Sequence, residues 1–109
     1  TTDHWYDIAI GTSAAHISVT LVNKDSYIGI ELYINSNKAL FDKLYEEREK
    51  IEEQLGFKMD WRRLDTVKAS RILYRINGLN FDHSNYDSLI DEAIDKVIKM
   101  RSVFKDRVK

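Results

Sequence analysis

Tyr27-Ile28-Gly29-Ile30-Glu31-Leu32-Tyr33-Ile34 alternates without a break, with Ile28, Ile30, Leu32 and Ile34 on one side and Tyr27, Gly29, Glu31 and Tyr33 on the other. A period of two over that length is a half-buried strand. Directly after it the period changes. Asn35-Ser36-Asn37 supplies helix N-cap candidates. Leu40, Leu44, Ile51 and Leu55 then form an apolar stripe, with Phe41 and Tyr45 beside it and Gly56 in place to end the helix. The spacing predicts one helix of about 18 residues within 36–56. A strand followed by an amphipathic helix that covers its apolar side sets the fold class.

The same reading extends in both directions. Towards the N-terminus, Ala15 to Val22 alternates, with Ile17, Val19 and Leu21 against His16, Ser18 and Thr20. Asn23-Lys24-Asp25-Ser26 is turn chemistry between two strands. Trp5 to Ile10 places Tyr6, Ile8 and Ile10 on one side and Trp5, Asp7 and Ala9 on the other, and Gly11-Thr12-Ser13 breaks the run. Three strands with short links read as an antiparallel meander. Towards the C-terminus, Phe57 to Leu64 alternates Phe57, Met59 and Trp61 against Lys58, Asp60 and Arg62. Ala69 to Ile76 sets Ile72, Tyr74 and Ile76 against Arg71, Leu73 and Arg75. Leu79 to Asn85 is irregular, and a second helix spans about Tyr86 to Lys105, with Leu89, Ile90, Ala93, Ile94, Val97, Met100 and Phe104 on a broad apolar face. The order β-β-β-α-β-β-α predicts an α+β fold: a five-stranded, mostly antiparallel sheet with two helices on one face. The expected core sets Leu44, Ile51, Ile94 and Val97 against Ile30, Leu32, Ile72 and Ile76.

Composition agrees with one domain over residues 1–109, with 43% hydrophobic residues and 32% charged. The chain has no Cys, so neither a disulfide nor a thiolate zinc site is available. It has no Pro, so loops are expected to be short. No apolar run reaches the ~18–20 residues of a membrane span. No leader is recognisable, and a cytoplasmic location is expected. The net charge of −1 excludes a uniformly basic nucleic-acid binder. Charge is nonetheless unevenly spread: residues 1–35 carry −3, residues 36–56 carry −2, residues 57–76 carry +4 and the remainder is neutral.

The sheet face without helices is the main anomaly. Alternation assigns it Trp5, Asp7, His16, Glu31 and Tyr33 together with Lys58, Arg62, Arg71 and Arg75. An antiparallel sheet is often wet on one side, and cross-strand charge pairs are then modest stabilisers. The other reading is a binding face, because Trp and Arg are the residue types that carry interface energy. A basic strand pair suits phosphate, and Lys58, Arg62, Arg71 and Arg75 are its candidate nucleic-acid contacts. Its bases also suffice to neutralise the acidic first strands and first helix. Catalytic signals are weak. Asp7, His16 and Glu31 sit on neighbouring strands and are of acid–base or metal-ligand type. Restriction-type nucleases pair an acid with an acid-x-Lys, and Glu31-Leu32-Tyr33 lacks that Lys. No GxSxG, phosphate-cradling glycine loop or Cys nucleophile is present, so no catalytic residue, metal or cofactor is assigned.

Four strings carry a resemblance: Trp5-Tyr6-Asp7-Ile8-Ala9-Ile10-Gly11 with Ala15-His16-Ile17-Ser18, then Ile28 to Ile34, Leu40-Phe41-Asp42-Lys43-Leu44, and Trp61-Arg62-Arg63-Leu64 with Lys68-Ala69-Ser70-Arg71-Ile72. Together the chain resembles a prokaryotic domain family of unknown function. Members of that family typically form the C-terminal part of longer proteins with a restriction-endonuclease-like N-terminal region. The resemblance implies an accessory domain, excised from such a protein, beside an upstream nuclease domain. DNA or that nuclease domain is then the expected partner. The alternative is a protein-interaction or dimerisation domain with no nucleic-acid contact. The recurring polar residues of the pattern fall on Trp5, Asp7, His16, Glu31, Tyr33, Trp61, Arg62, Lys68, Ser70 and Arg71, of which Trp61 and Ser70 lie on the packed face by alternation.

Overall fold

In a computed structural model, residues 4–22, 25–78 and 85–108 are described, with side chains from residue 6 onward. The strands are β1 (His4–Ala9), β2 (Ala15–Val22), β3 (Tyr27–Ile34), β4 (Asp60–Arg62) and β5 (Ser70–Asn77). The helices are α1 (Lys38–Glu46), α2 (Arg48–Leu55) and α3 (Tyr86–Phe104). All pairings are antiparallel, in the order β1-β2-β3-β5-β4. The fold is α+β as expected. The irregular stretch expected from residue 79 falls largely outside the described residues.

The alternation read from the sequence is the pleat of the sheet. Ile8, Ile17, Leu32, Ile72 and Trp61 stand in one row across all five strands. Ile17, Ile28, Ile30, Leu32, Ile34 and Ile72 are fully buried against Leu44, Ile51, Leu55, Met100 and Phe104. The helices therefore share one face of the sheet. β3 is central, and its inner residues Ile28, Ile30, Leu32 and Ile34 are all at 0% exposure.

Three features differ from expectation. The expected first helix is two helices. The chain breaks at Glu47 (φ −98°, ψ 12°), whose N–H donates to Leu44 O at 3.0 Å. The break falls where the stripe has a gap, between Leu44 and Ile51, so no buried side chain holds that turn in place. Arg48 repairs it: its Nη1 donates to Tyr45 O at 2.9 Å and its guanidinium lies 4.1 Å above the Tyr45 ring. α2 then closes at Gly56, whose left-handed φ of 86° suits glycine. The second difference is that the fourth strand is short, and Phe57, Lys58 and Met59 precede it. The third concerns α3. Ala93, Met100 and Phe104 face the sheet, Val97 is half-buried, and Ile94 is 51% exposed rather than in the core. Ala93 is small and lets this ridge approach closely, which turns the isoleucines of the broad apolar face outward.

One clamp joins the helical layer to the β4–β5 link. At the start of α1, Lys38 Nζ donates to Leu64 O (3.0 Å), Ala69 O (2.8 Å), Ser70 Oγ (3.0 Å) and Arg63 O. Ser70 is fully buried and donates to Arg63 O at 2.9 Å. Leu64 holds a left-handed φ of 57°, a conformation that a side chain with Cβ avoids, and its carbonyl joins the clamp. Arg63 adds ion pairs to Asp42 of α1 (2.9 Å) and to Asp65. Glu52 Oε2 accepts from Met59 N (2.7 Å) and Trp61 Nε1 (3.2 Å), and the Trp61 ring meets Phe41 and Tyr45 edge-on.

Lys38→Met is expected to cost roughly 2–4 kcal/mol, because it leaves several carbonyls at the clamp without their donor. Leu44→Ala is expected to cost about 2–5 kcal/mol. Ile94→Ala, in contrast, is expected to cost less than ~1 kcal/mol, as for an exposed residue. Urea unfolding midpoints of the three variants test this ranking.

Candidate nucleic-acid interface

The outer face of the sheet is built in rows set by register. Asp7, Ser18, Glu31, Leu73 and Asp60 form one row, and Ala9, His16, Tyr33, Arg71 and Arg62 form the next. Thr20, Gly29 and Arg75 form a third. Asp7, His16, Glu31, Tyr33, Arg62, Arg71 and Arg75 therefore share one face, as alternation predicts. Trp5 belongs to the same face by register with Thr20, but its side chain lies outside those described. Lys58 does not join the group. It precedes β4 and lines a separate depression with Arg48, Glu49, Glu52 and Glu53.

A shallow depression of about 480 Å³ opens on this face, lined by Thr20, Glu31, Asp60, Arg62, Arg71 and Arg75 among others. Each guanidinium has a distinct partner. Arg62 pairs with Asp60 at 2.8 Å on its own strand. Arg71 Nε lies 3.4 Å from Glu31 Oε2, and its guanidinium is 5.6 Å from the Tyr33 ring. Arg75 stacks 4.0 Å above the Tyr27 ring. The Tyr27 ring lies close over Gly29, where an added Cβ would come to 3.4 Å from Tyr27 Cε2, the near limit of ordinary contact. Tyr27 was not among the residues singled out from the sequence. Its signal is present only once β3 is known to pair with β5, which places Tyr27 within reach of Arg75.

Asp7 and His16 approach to 3.6 Å (Oδ1 to Nε2), and the His16 ring is 5.2 Å from that of Tyr33. Among the described residues no group of three His, Asp or Glu side chains is arranged to hold a metal ion. Ser70 and Lys38 form a hydroxyl–ammonium pair of the kind some hydrolases use. Ser70 is fully buried, however, and the Lys38 ammonium is wrapped by the carbonyl oxygens of Leu64 and Ala69 and the Ser70 hydroxyl. That pair is a clamp with no access for substrate. Lys68 lies exposed in the link before β5.

Glu31 is the electrostatic centre of the face. Its side chain is only 14% exposed, and Oε2 is within ion-pair range of Arg71 without hydrogen-bond alignment, so this buried oxygen accepts no hydrogen bond. Burial pushes its carboxyl above the usual value of 4.5, and the Arg71 guanidinium offsets only part of that. Asp42, on the other side of the molecule, shifts the opposite way because Arg63 donates to it.

The chain belongs to the family described as domain of unknown function (DUF4268), whose model matches residues 1–108. No curated protein and no solved structure matches it significantly. No helix among the described residues is long and apolar enough to cross a membrane.

A raised carboxyl pKa means the folded chain holds that proton more tightly than the unfolded chain does. The stability contributed by Glu31 is then fully present below about pH 4.5 and is lost as pH rises through the elevated value. Glu31→Gln removes the desolvated charge, so its melting temperature is expected to exceed that of the wild type near neutral pH. The gap should close as the pH falls towards the unfolded value. A variant that melts lower at neutral pH would show that the Arg71 pair outweighs the cost of burial.

Proposed function

We propose that this DUF4268 domain is a non-catalytic accessory module that contacts DNA through the outer face of β4 and β5, beside a nuclease domain of a prokaryotic protein. One observation carries the reading: Arg62 of β4 stands directly opposite Arg71 of β5, with Arg75 further along the same face. Like charges placed directly opposite across two strands destabilise a sheet. Asp60 and Glu31 offset that repulsion, and an anionic ligand would offset it further. Guanidinium groups on rigid strands suit phosphate oxygens, which accept their paired N–H donors. Arg75, stacked on Tyr27, is exposed and lines the same depression as Arg62 and Arg71.

The accessory role rests on the resemblance described above and on the weakness of the catalytic signals in the chain itself. Acids and bases on the face are balanced, with Asp7, Glu31 and Asp60 against Arg62, Arg71 and Arg75. Such balance predicts weak affinity for DNA by this domain alone. It also favours the second reading, in which the same face meets a protein surface of mixed charge, whether the nuclease domain or another chain, with no nucleic-acid contact.

Non-specific binding to duplex DNA is expected near ~10⁻⁴–10⁻⁶ M at physiological salt. Each phosphate contact adds about −0.9 to the slope of log K against log salt, so three arginines predict a slope of about −3. Arg75→Ala is expected to reduce the slope by about one, and the triple Ala variant of Arg62, Arg71 and Arg75 to abolish most of it. Lys58→Ala should leave it unchanged. Binding that survives in the triple variant removes the face from the argument. No binding by the wild type at low salt transfers the reading to the protein-interaction alternative.

A further inference from the structure

The inner face of the sheet is only partly covered. α1 and α2 lie over the β3-β5-β4 side and α3 over β3, which leaves Ile8, Val19 and Leu21 half-buried beside α3. Between α3 and the β1–β2 edge runs a groove of about 440 Å³ with an almost wholly apolar lining. Six large hydrophobic side chains are exposed among the described residues, and four of them are gathered here: Tyr6 (67%), Ile90 (38%), Ile94 (51%) and Ile98 (61%). Monomers rarely leave a contiguous apolar surface of this kind open unless it binds something.

The charges that frame the groove select its occupant. Ile90, Ile94 and Ile98 recur every fourth residue and form one row along α3. The N-terminal end of the row is flanked by the exposed acids Asp87 and Asp91, and the C-terminal end by the exposed bases Arg101 and Lys105. Arg101 Nε reaches Ala9 O at 3.4 Å, which anchors this side chain at the β1 edge. A helix that is acidic at one end of an apolar row and basic at the other is complementary to itself, turned end for end.

We propose that α3 pairs antiparallel with α3 of a second copy of this chain across a two-fold axis at Ile94. Residues 87 and 101 are equidistant from 94, as are 90 and 98. The two-fold therefore brings Ile94 to Ile94 on the axis, once, and Ile90 to Ile98 and Asp87 to Arg101 on either side of it, each twice, as an isologous interface requires. The parallel arrangement would stack Asp87 on Asp87 and Arg101 on Arg101. The charge pattern thus specifies direction, and the isoleucine row and Tyr6 supply the apolar area. This surface lies on the helical side of the sheet, opposite the arginine face, and is independent of the reading proposed above.

Sedimentation of the chain at micromolar concentrations is expected to show a species of twice the monomer mass. Ile94→Glu is expected to weaken association roughly tenfold or more with unchanged circular dichroism, since residue 94 is exposed in the single chain. Asp87→Arg and Arg101→Asp should each be monomeric alone, and should form a heterodimer when mixed, because each supplies the charge the other lacks. A monomeric wild type at all of these concentrations would overturn the proposal and leave the groove to a different protein segment. A dimer indifferent to Ile94→Glu, or charge variants that fail to complement each other, would overturn it equally.

Discussion

A single ammonium group ties the start of α1 to the link between β4 and β5. Lys38 opens α1, and its Nζ gathers the carbonyls of Arg63, Leu64 and Ala69 and the hydroxyl of Ser70. An ammonium has three protons, so these oxygens share them, and the site is crowded with acceptors around one charge. Charge-assisted bonds of this type are about twice as strong as neutral ones. They keep Leu64 in a backbone conformation it would otherwise avoid, and they fold the β4–β5 link back under α1. β4 is only three residues long, so the clamp adds to the few anchors it has of its own, the ladder with β5 and the Trp61 side chain held by Glu52, Phe41 and Tyr45. With it, Trp61 is wedged against Phe41 and Tyr45, Glu52 caps the approach from Met59, and Arg62 arrives opposite Arg71. The pair of arginines on the outer face thus depends in part on a lysine on the inner one.

The same anchoring decides what stays bare. α1 and α2 are committed to the β5 side, and α3 packs over β3 and not squarely over β1 and β2. Helices pack about 8–10 Å apart, and strands are spaced ~4.8 Å apart, so each helix covers roughly two strands. α3 settles over the middle, and the inner side of β1 and β2 retains an open flank. Both unusual surfaces follow from one allocation of helices: the polar outer face receives none, and the apolar inner face receives one too few.

Much of this was legible from alternation. Every outward assignment on β1, β2, β3 and β5 agrees with the register, because a one-residue slip would have put Ile28, Ile30, Leu32 and Ile34 into water. What alternation lacks is reach across the chain. Lys38 reads as an ordinary polar residue near a helix start, and only the β4–β5 link, distant in sequence, supplies its acceptors. Ser70 was assignable to the packed face, but not to the clamp. The break at Glu47 needed a gap in the apolar stripe to be weighed as heavily as the stripe itself. The rotation of α3 was undetermined for a different reason. Leu89, Ile90, Ala93, Ile94, Val97 and Met100 cover so wide an arc that periodicity allows several orientations. Ala93 and Met100 face the sheet, and Ile94 was left outside. Lys58 was lost from the arginine face when the fourth strand shortened to Asp60–Arg62.

The two bare surfaces lie on opposite sides of one sheet, so occupying one leaves the other accessible. That geometry bears on the weak charge balance of the arginine face. Arg62 and Arg71 are each partly neutralised by Asp60 and Glu31, so a single face has little net charge with which to hold a polyanion. Pairing through α3 would present two such faces on one particle, pointing away from the shared helical layer. Linked sites bind the second time as an intramolecular event, and the gain can reach 10²–10⁴ without any new contact, provided both sites can be reached at once. Faces that point in opposite directions cannot grip one short straight duplex together. They can engage two duplex segments, or one that bends around the particle, or two partner domains. Taken together, the two proposals favour bridging over clamping, because the arginine face lies on the outside of the sheet and the isoleucine row of α3 on the inside.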